Sequence, residues 1–136
     1  MVILLLGLSS LLVLPAMDRA LKKQAVRQAT VELAAVARDL RSRAIYKGVL
    51  QGLLISPSES SYQDLSGNKV FLSSAVEISE IVGGEVVGEE RRFVFFPNGS
   101  IYGGEIAISG REVSTSYTIH LDPLSGRVEV VQGTPS

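Results

Sequence analysis

The chain has 136 residues, which is enough for one domain and too few for a two-domain enzyme. It contains no cysteine and a single histidine, His120, which excludes a disulfide framework, a thiol nucleophile and the usual kinds of structural zinc site. The formal net charge of -1 does not favour a nucleic-acid-binding surface, because such domains are usually strongly basic. The charge is unevenly distributed, since residues 18–47 carry +5 and the remaining residues carry -6.

Residues 1–17 form an uncharged, mostly aliphatic run. As a helix at about 1.5 Å per residue, the run spans roughly 25 Å, slightly less than the ~30 Å hydrocarbon core of a bilayer. The absence of a preceding basic residue disfavours a cleaved secretory signal, and hydrophobicity on all sides disfavours a buried core helix. Both remain alternatives to a membrane helix that begins before Met1. The candidate membrane residues are Val2, Ile3, Leu4, Leu5, Leu6, Leu8, Leu11, Leu12, Val13 and Leu14.

Residues 18–47 have the pattern of an amphipathic helix that continues the apolar run. Apolar residues recur at spacings of three and four, and no glycine or proline interrupts the segment before Gly48, a suitable helix stop. One helix of about 70 Å is therefore predicted, with the apolar stripe of its second half packed on a head formed by residues 48–136. The stripe consists of Val26, Leu33, Val36, Leu40 and Ala44, together with Ala29 and Ala37.

Helical spacing ends at Gly48, and short β-prone runs follow. Strands are predicted at Leu53–Ser56, Val70–Ser73 and Val76–Ile81, with a weaker segment around Val86. Two hairpins are clearer. The first joins Arg92–Pro97 to Ile101–Ser109 through Asn98-Gly99, and the second joins Ser114–Leu121 to Arg127–Gln132 through residues 122–126. The fold class is therefore α+β, a long N-terminal helix packed on a small antiparallel β-sheet head.

The sequence contains no set of residues that meets the needs of catalysis. His120 alternates with Ile119 and Leu121 and is predicted to be solvated or paired at the surface. The acidic residues of the central region lack the spacing of a calcium-binding loop and are predicted to lie in a solvated loop. They are Glu77, Glu80, Glu85, Glu89 and Glu90. We therefore expect no enzyme activity, catalytic residue, cofactor or metal site.

Three motifs in the C-terminal half resemble those of type IV pilin-like proteins of the GspH/FimT family, which includes the H-type minor pseudopilins of type II secretion systems. They are Phe95–Ser100, Gly103–Ile106 and Ile119–Val128, and each alone indicates only a turn. Their order over about 35 residues is more specific than any single turn. Segment 41–45 and the separation of Gly7 from Pro15 are also similar to the family pattern. The motif turn residues are Pro97, Asn98, Gly99, Gly103, Gly104, Asp122, Gly126 and Arg127.

The family's basic leader, cleavage junction and mature N-terminal glutamate do not occur in this sequence. Alignment on Gly7 and Pro15 leads us to expect about seven mature residues before Met1, which would bring the apolar run to membrane-spanning length. In the family, the leader is removed and the new N-terminus is methylated by prepilin peptidase.

The resemblance implies a structural minor pseudopilin, with a single-pass anchor in the bacterial inner membrane and its head in the periplasm. Its expected partners are the inner membrane and other pilin-like subunits, both major and minor pseudopilins. Contacts with the secretin or a secreted substrate are also implied, whereas a nucleic-acid partner is not favoured. Two alternatives remain: a minor pilin of a type IV pilus, acting in adhesion, motility or DNA uptake, and a monomeric membrane-tethered binding module.

Overall fold

The chain folds as one long helix followed by two antiparallel β-sheets. The computed structural model describes the backbone of residues 2–133 and the side chains of residues 17–133. Helix α1 is continuous over Val2–Lys47 and ends before Gly48, whose φ of 64° is readily adopted by glycine. This arrangement confirms the α+β class predicted from the sequence.

The strands occupy most of the chain after the helix. In order they are β1 (Gln51–Ser56), β2 (Ser61–Asp64), β3 (Lys69–Phe71), β4 (Val76–Gly83), β5 (Glu85–Val87), β6 (Glu90–Phe95), β7 (Ile101–Tyr102), β8 (Gly104–Gly110), β9 (Ser116–Leu121) and β10 (Val128–Gln132).

Two sheets result from the pairing of these strands. The first has the order β3-β2-β1-β6-β5, with β7 also paired to β6. The second has the order β10-β9-β8-β4. Every pairing is antiparallel, and β4 contains an irregularity between Ile78 and Glu80.

The hydrophobic core lies where the second half of α1 meets both sheets. Helix α1 contacts β1 and β6 of the first sheet and β4, β8, β9 and β10 of the second. Alternating residues of the strands point toward the helix, as the period of two in a strand requires. The largest fully buried side chains are Phe93, Phe95, Leu33, Leu40, Leu53, Ile55, Ile106, Ile108, Ile119, Leu121, Val26 and Val76.

The buried face of α1 is wider than the stripe in the sequence. Val26, Leu33, Leu40 and Ala44 are buried and Val36 is half-buried. The helix also buries Ala34 and Thr30 completely. The Thr30 hydroxyl donates a 2.8 Å hydrogen bond to the carbonyl oxygen of Val26, so its burial leaves no unsatisfied polar group. A helix in contact with two sheets buries more of its circumference than one lying on a single sheet.

The prediction of Ile101–Ser109 as one return strand is wrong. Residues 101–102 form β7 and pair with β6 of the first sheet, whereas Gly104–Gly110 forms β8 of the second sheet. The chain passes between the sheets at Gly103, where an added Cβ would lie 2.2 Å from the carbonyl oxygen of Leu121. The sequence pattern predicted this glycine inside the return strand of the first hairpin.

Two further predictions need correction. The acidic residues assigned to a loop lie mostly on strands: Glu77 and Glu80 on β4, Glu85 on β5 and Glu90 on β6, with only Glu89 in a turn. Strand β2 was not predicted, because the serine-rich stretch before it indicated a turn and Ser61–Asp64 has little hydrophobic character. The antiparallel pairing with β1 stabilises β2 as a strand despite its low hydrophobicity.

Candidate functional site: motif turns and exposed surfaces

Arg41 on α1 joins two motif turns that are far apart in the sequence. Its Nε donates a 2.8 Å hydrogen bond to the carbonyl oxygen of Gly99, and a terminal nitrogen donates one of 3.3 Å to that of Ser125. A Cβ at Gly126 would lie 2.0 Å from the Gly99 carbonyl oxygen, so the two turns are in direct contact. The planar guanidinium can bind two carbonyl oxygens in fixed directions, which a lysine cannot do.

Each of these turns is also stabilised by its own polar side chain. The Asn98 Oδ1 accepts hydrogen bonds from the backbone nitrogen and hydroxyl of Ser100, at 3.0 Å and 2.7 Å. The Asp122 carboxylate accepts them from the backbone nitrogens of Leu124 and Ser125, at 2.9 Å and 3.2 Å. Backbone hydrogen bonds from Ser125 and Leu124 lower the pKa of Asp122 below its usual range.

The glycine pair Gly103-Gly104 lies in close contact with the backbone of two neighbouring strands of the second sheet, β9 and β4. A Cβ on Gly103 would meet the Leu121 carbonyl oxygen at 2.2 Å, and a Cβ on Gly104 would meet the Val82 carbonyl oxygen at 1.9 Å. Both neighbours are backbone atoms, which cannot rotate away as a side chain could. These glycines are therefore required by the close approach of the strands.

The other motif residues lie at the surface of the same region. Pro97 is exposed beside the Asn98-Gly99 turn. Arg127 is exposed, its guanidinium lies 3.2 Å from the Glu129 carboxylate, and its backbone nitrogen donates to the Ser125 hydroxyl. The structure thus brings two of the three motifs together at Arg41, and the third lies against Leu121 through Gly103. Arg41 entered the sequence comparison only within segment 41–45, although its spacing of four residues from Ala37 and three from Ala44, both buried, was a usable signal.

His120 lies on the outer face of the second sheet with an acidic neighbour. Its Nδ1 is 3.2 Å from the Glu105 carboxylate, and its side chain is 42% exposed. Glu105 and Glu129 pair with His120 on the adjacent strands. Within residues 17–133, no group of three or more acidic, histidine or cysteine side chains has the geometry to hold a metal ion.

The basic cluster at the start of the described helix is largely exposed. Lys22 forms ion pairs with Asp18 and Glu112, which raise the pKa of its ammonium group through hydrogen bonds and charge. Arg19, Lys23 and Arg27 are four residues apart and therefore lie on one exposed side of the helix. This cluster connects the helix to the loop after β8 through Glu112.

The predicted membrane residues Val2–Leu14 lie outside the part of the chain whose side chains are described. Among the described residues, no helix is both long and apolar enough to cross a membrane. Met17 and Leu21, which follow this segment on α1, are 54% and 61% exposed. The first buried side chain of the described helix is Val26.

The outer face of the first sheet bears an apolar groove of about 540 Å³. Its floor is Gly52, where a Cβ would touch the Leu65 side chain at 3.0 Å, and its wall includes the half-exposed Tyr102. A salt bridge of 2.8 Å between Arg92 and Glu85 borders it. The groove contains no arrangement of nucleophile, base and orienting group.

The fold defined by these features, one long N-terminal helix packed on antiparallel sheets, is that of a type IV pilin-like protein. The structure is similar to that of the minor pseudopilin EpsH from the type 2 secretion system of Vibrio cholerae, with a TM-score of 0.66 and 11% sequence identity. The similarity covers 79% of this chain and 96% of EpsH. At the level of fold, it confirms the resemblance identified in the sequence.

Comparisons of sequence find nothing further: no protein-family model and no curated protein matches the chain.

Proposed function

We propose that this chain is a structural minor pseudopilin of a type II secretion system. The observation that carries the proposal is the likeness to EpsH, in which the described fold matches over nearly the whole of that protein. In this role the chain assembles with other pilin-like subunits and performs no catalytic turnover. The contacts of two motif turns with Arg41, and of Gly103 with Leu121, support the proposal, because they join the segments that resemble the GspH/FimT family.

The proposal assigns the apolar segment 1–17 to the inner membrane before assembly and to the core of the fibre afterwards. The head, residues 48–136, then lies in the periplasm at or near the tip of the pseudopilus. Support comes from the hydrophobicity of the segment and from its continuity with α1, which runs without interruption from Val2 into the head. A continuous helix would transmit the position of the membrane segment directly to the head.

A charge in the apolar segment tests this assignment. Leu12→Asp should weaken retention in the membrane and prevent secretion of the system's substrates, since a charge within the apolar part of a bilayer helix costs up to about 3 kcal/mol. Leu12→Ala is the matched control and should leave both properties intact. Membrane fractionation, a secretion assay and co-isolation of pilin-like subunits are the measurements.

The outcomes distinguish the candidate functions. Loss of secretion together with loss of pilin-like partners supports the minor pseudopilin. Intact secretion with loss of twitching, adhesion or DNA uptake would assign the chain to a type IV pilus instead. Membrane retention of the parent protein without any pilin-like partner would indicate a tethered monomeric module.

Mass spectrometry of the N-terminal peptide from the native membrane provides an independent test. An N-methylated phenylalanine upstream of Met1 would establish processing by prepilin peptidase. A native N-terminus at Met1 would contradict the pseudopilin proposal.

A further inference from the structure

Strand β3 forms an open edge of the first sheet. It pairs only with β2 in the described part of the chain, through Lys69, Val70 and Phe71. The backbone nitrogen of Leu72 donates a 2.8 Å hydrogen bond to the Ser60 carbonyl oxygen, which continues this ladder by one residue. Because hydrogen-bonding directions alternate along an antiparallel strand, Val70 also points its backbone groups toward β2. Lys69 and Phe71 therefore direct theirs away from the sheet.

The side chains of β3 divide between two faces. Val70 lies opposite Tyr62, which is 5% exposed and belongs to the core cluster, so both side chains face the helix. The Lys69 ammonium lies 5.3 Å from the centre of the Phe71 ring, which places these two side chains together on the outer face. One face of this edge strand is therefore directed toward α1, and the opposite face, which bears Lys69 and Phe71, is exposed.

A groove separates the inner face of β3 from helix α1. One part, of about 280 Å³, lies between Ala25, Ala29 and Glu32 of the helix and residues 70–73. The second, of about 160 Å³, lies between Val36 and Leu40 of the helix and the side of the sheet that bears Tyr62 and Val70. Both parts contact Val70, so they lie in succession along the edge strand.

The groove and the open edge match the two requirements for binding an extended segment. Such a segment would form backbone hydrogen bonds with Lys69 and Phe71. Its alternate side chains, opposite Asn68, Val70 and Leu72, would then point toward α1 at intervals of about 6.8 Å. Asn68 and Val70 line one part of the groove, and Val70 and Leu72 line the other.

The charges along the groove define the chemistry of these side chains. In the second part, Asp39 forms a 2.9 Å ion pair with Arg43, and the Asp64 carboxylate accepts hydrogen bonds from Ser66 and Asn68. Both carboxylates at its border therefore have polar partners, and its remaining lining is mainly aliphatic. In the first part, the Glu32 carboxylate accepts a 3.1 Å hydrogen bond from Gln28 and forms no ion pair with any described residue. Small residues beside it, Ala25 and Ala29, leave room for a long aliphatic stem that ends in a positive charge.

We infer that the β3 edge and this groove bind an extended segment of a partner protein, which adds a strand to the first sheet and places a basic and an aliphatic side chain, two residues apart, against α1. The basic side chain pairs with Glu32, and the aliphatic one packs on Val36 and Leu40. This docking site goes beyond the proposed assembly through the N-terminal helix and requires no membrane contact.

A photoreactive benzoylphenylalanine at Gln28, in the full chain in its native membrane, tests the inference. Gln28 is exposed and borders the groove, and Ala35 is an exposed position on the same helix that does not. We expect a cross-linked product at Gln28 and none of the same partner at Ala35. Sequencing of the cross-linked peptide should show a basic and an aliphatic residue two positions apart in a segment of β-strand propensity.

Two substitutions with matched controls address the binding mode. Phe71→Pro removes the outward backbone N–H, and Ala25→Leu fills the first part of the groove. Each should lower the cross-linking yield about tenfold, a change equivalent to roughly 1.4 kcal/mol. Phe71→Thr retains the N–H, and Ala35→Leu adds the same bulk on the exposed side of the helix, so both should retain the parent yield.

Three results would overturn the inferred docking site. Absence of a cross-link at Gln28 in folded protein overturns the inference. So does a cross-linked peptide from a helix of another pilin-like subunit or from a second copy of this chain. An undiminished yield in Ala25→Leu, whose helix fold can be checked by circular dichroism, also overturns it even if Phe71→Pro fails to fold. None of these results affects the membrane and secretion outcomes for Leu12→Asp.

Discussion

Arg41 of the helix and Gly99 of the β6–β7 turn are joined by a 2.8 Å hydrogen bond across 58 positions of the sequence. The same guanidinium reaches Ser125 in the β9–β10 turn. One side chain therefore connects α1 to turns from both sheets. Arg38, three residues earlier on the helix, adds a 2.9 Å hydrogen bond to the carbonyl oxygen of Val128. The helix is therefore attached to that end of the head by directional hydrogen bonds as well as by apolar packing.

Removal of the Arg41 guanidinium should destabilise the head more than removal of an exposed ion pair. Arg41→Ala is expected to reduce the free energy of unfolding by about 1 to 3 kcal/mol, because two carbonyl oxygens lose charged donors. Arg43→Ala, which removes an exposed pair with Asp39, should cost about 0.5 kcal/mol or less. Denaturant unfolding of the full chain in detergent, followed by circular dichroism, measures both. Equal losses would contradict a special role for Arg41.

The close contact at Gly103 predicts a severe effect of a single methyl group. Gly103→Ala should lower the stability by about 3 kcal/mol or more, since its Cβ would meet the Leu121 backbone at 2.2 Å. Gly52→Ala is the control, because its Cβ would meet only the flexible Leu65 side chain at 3.0 Å. The two thermal unfolding midpoints can be compared directly. A normal midpoint for Gly103→Ala would show that the chain can move away from the Leu121 backbone there without cost.

The packing of α1 on the sheets can be tested with two substitutions that lie two residues apart, one on the buried side of the helix and one on the exposed side. Leu33 is fully buried, and Leu33→Ala should cost about 2 to 5 kcal/mol by leaving a cavity. Val31 is 51% exposed, and Val31→Ala should change the stability by about 0.5 kcal/mol or less. A similar cost for both would mean that the helix is not anchored through this face.

The lowered pKa of Asp122 predicts that its carboxylate contributes to the stability of the fold in a pH-dependent way. Its pKa is lower in the folded state than in the unfolded chain, so the unfolded state binds the proton more readily. The stabilisation is therefore complete above the unfolded pKa of about 3.9 and is lost as the pH falls through the lower folded value. The stability difference between the parent and Asp122→Asn should shrink when unfolding is measured at about pH 3 instead of about pH 7. A constant difference would contradict the contribution of the turn's hydrogen bonds to the carboxylate.

Local patterns were sufficient where one element determines its own structure. Spacing of three and four predicted the helix up to Lys47, and the second hairpin was predicted to within about two residues of its observed strands, which is the usual uncertainty of strand ends. The local patterns failed to predict strands that are stabilised mainly by pairing with a neighbouring strand. Strand β2 is polar and exists through its ladder with β1, and the acidic residues of β4 are accommodated on a strand because their side chains point outward.

The sequence by itself determined the long helix, the β-rich head, the thin inventory of reactive groups and the resemblance to pilin-like proteins, because these depend on periodicity, composition and short motifs. Only the tertiary structure decided that the predicted return strand divides at Gly103 into strands of two sheets. It also decided that Arg41 forms hydrogen bonds with two of the motif turns. The groove beside β3 likewise depends on the fold. The physical reason is that hydrogen bonds and backbone contacts between distant segments form only when the chain brings those segments together, and no local pattern encodes which partners meet.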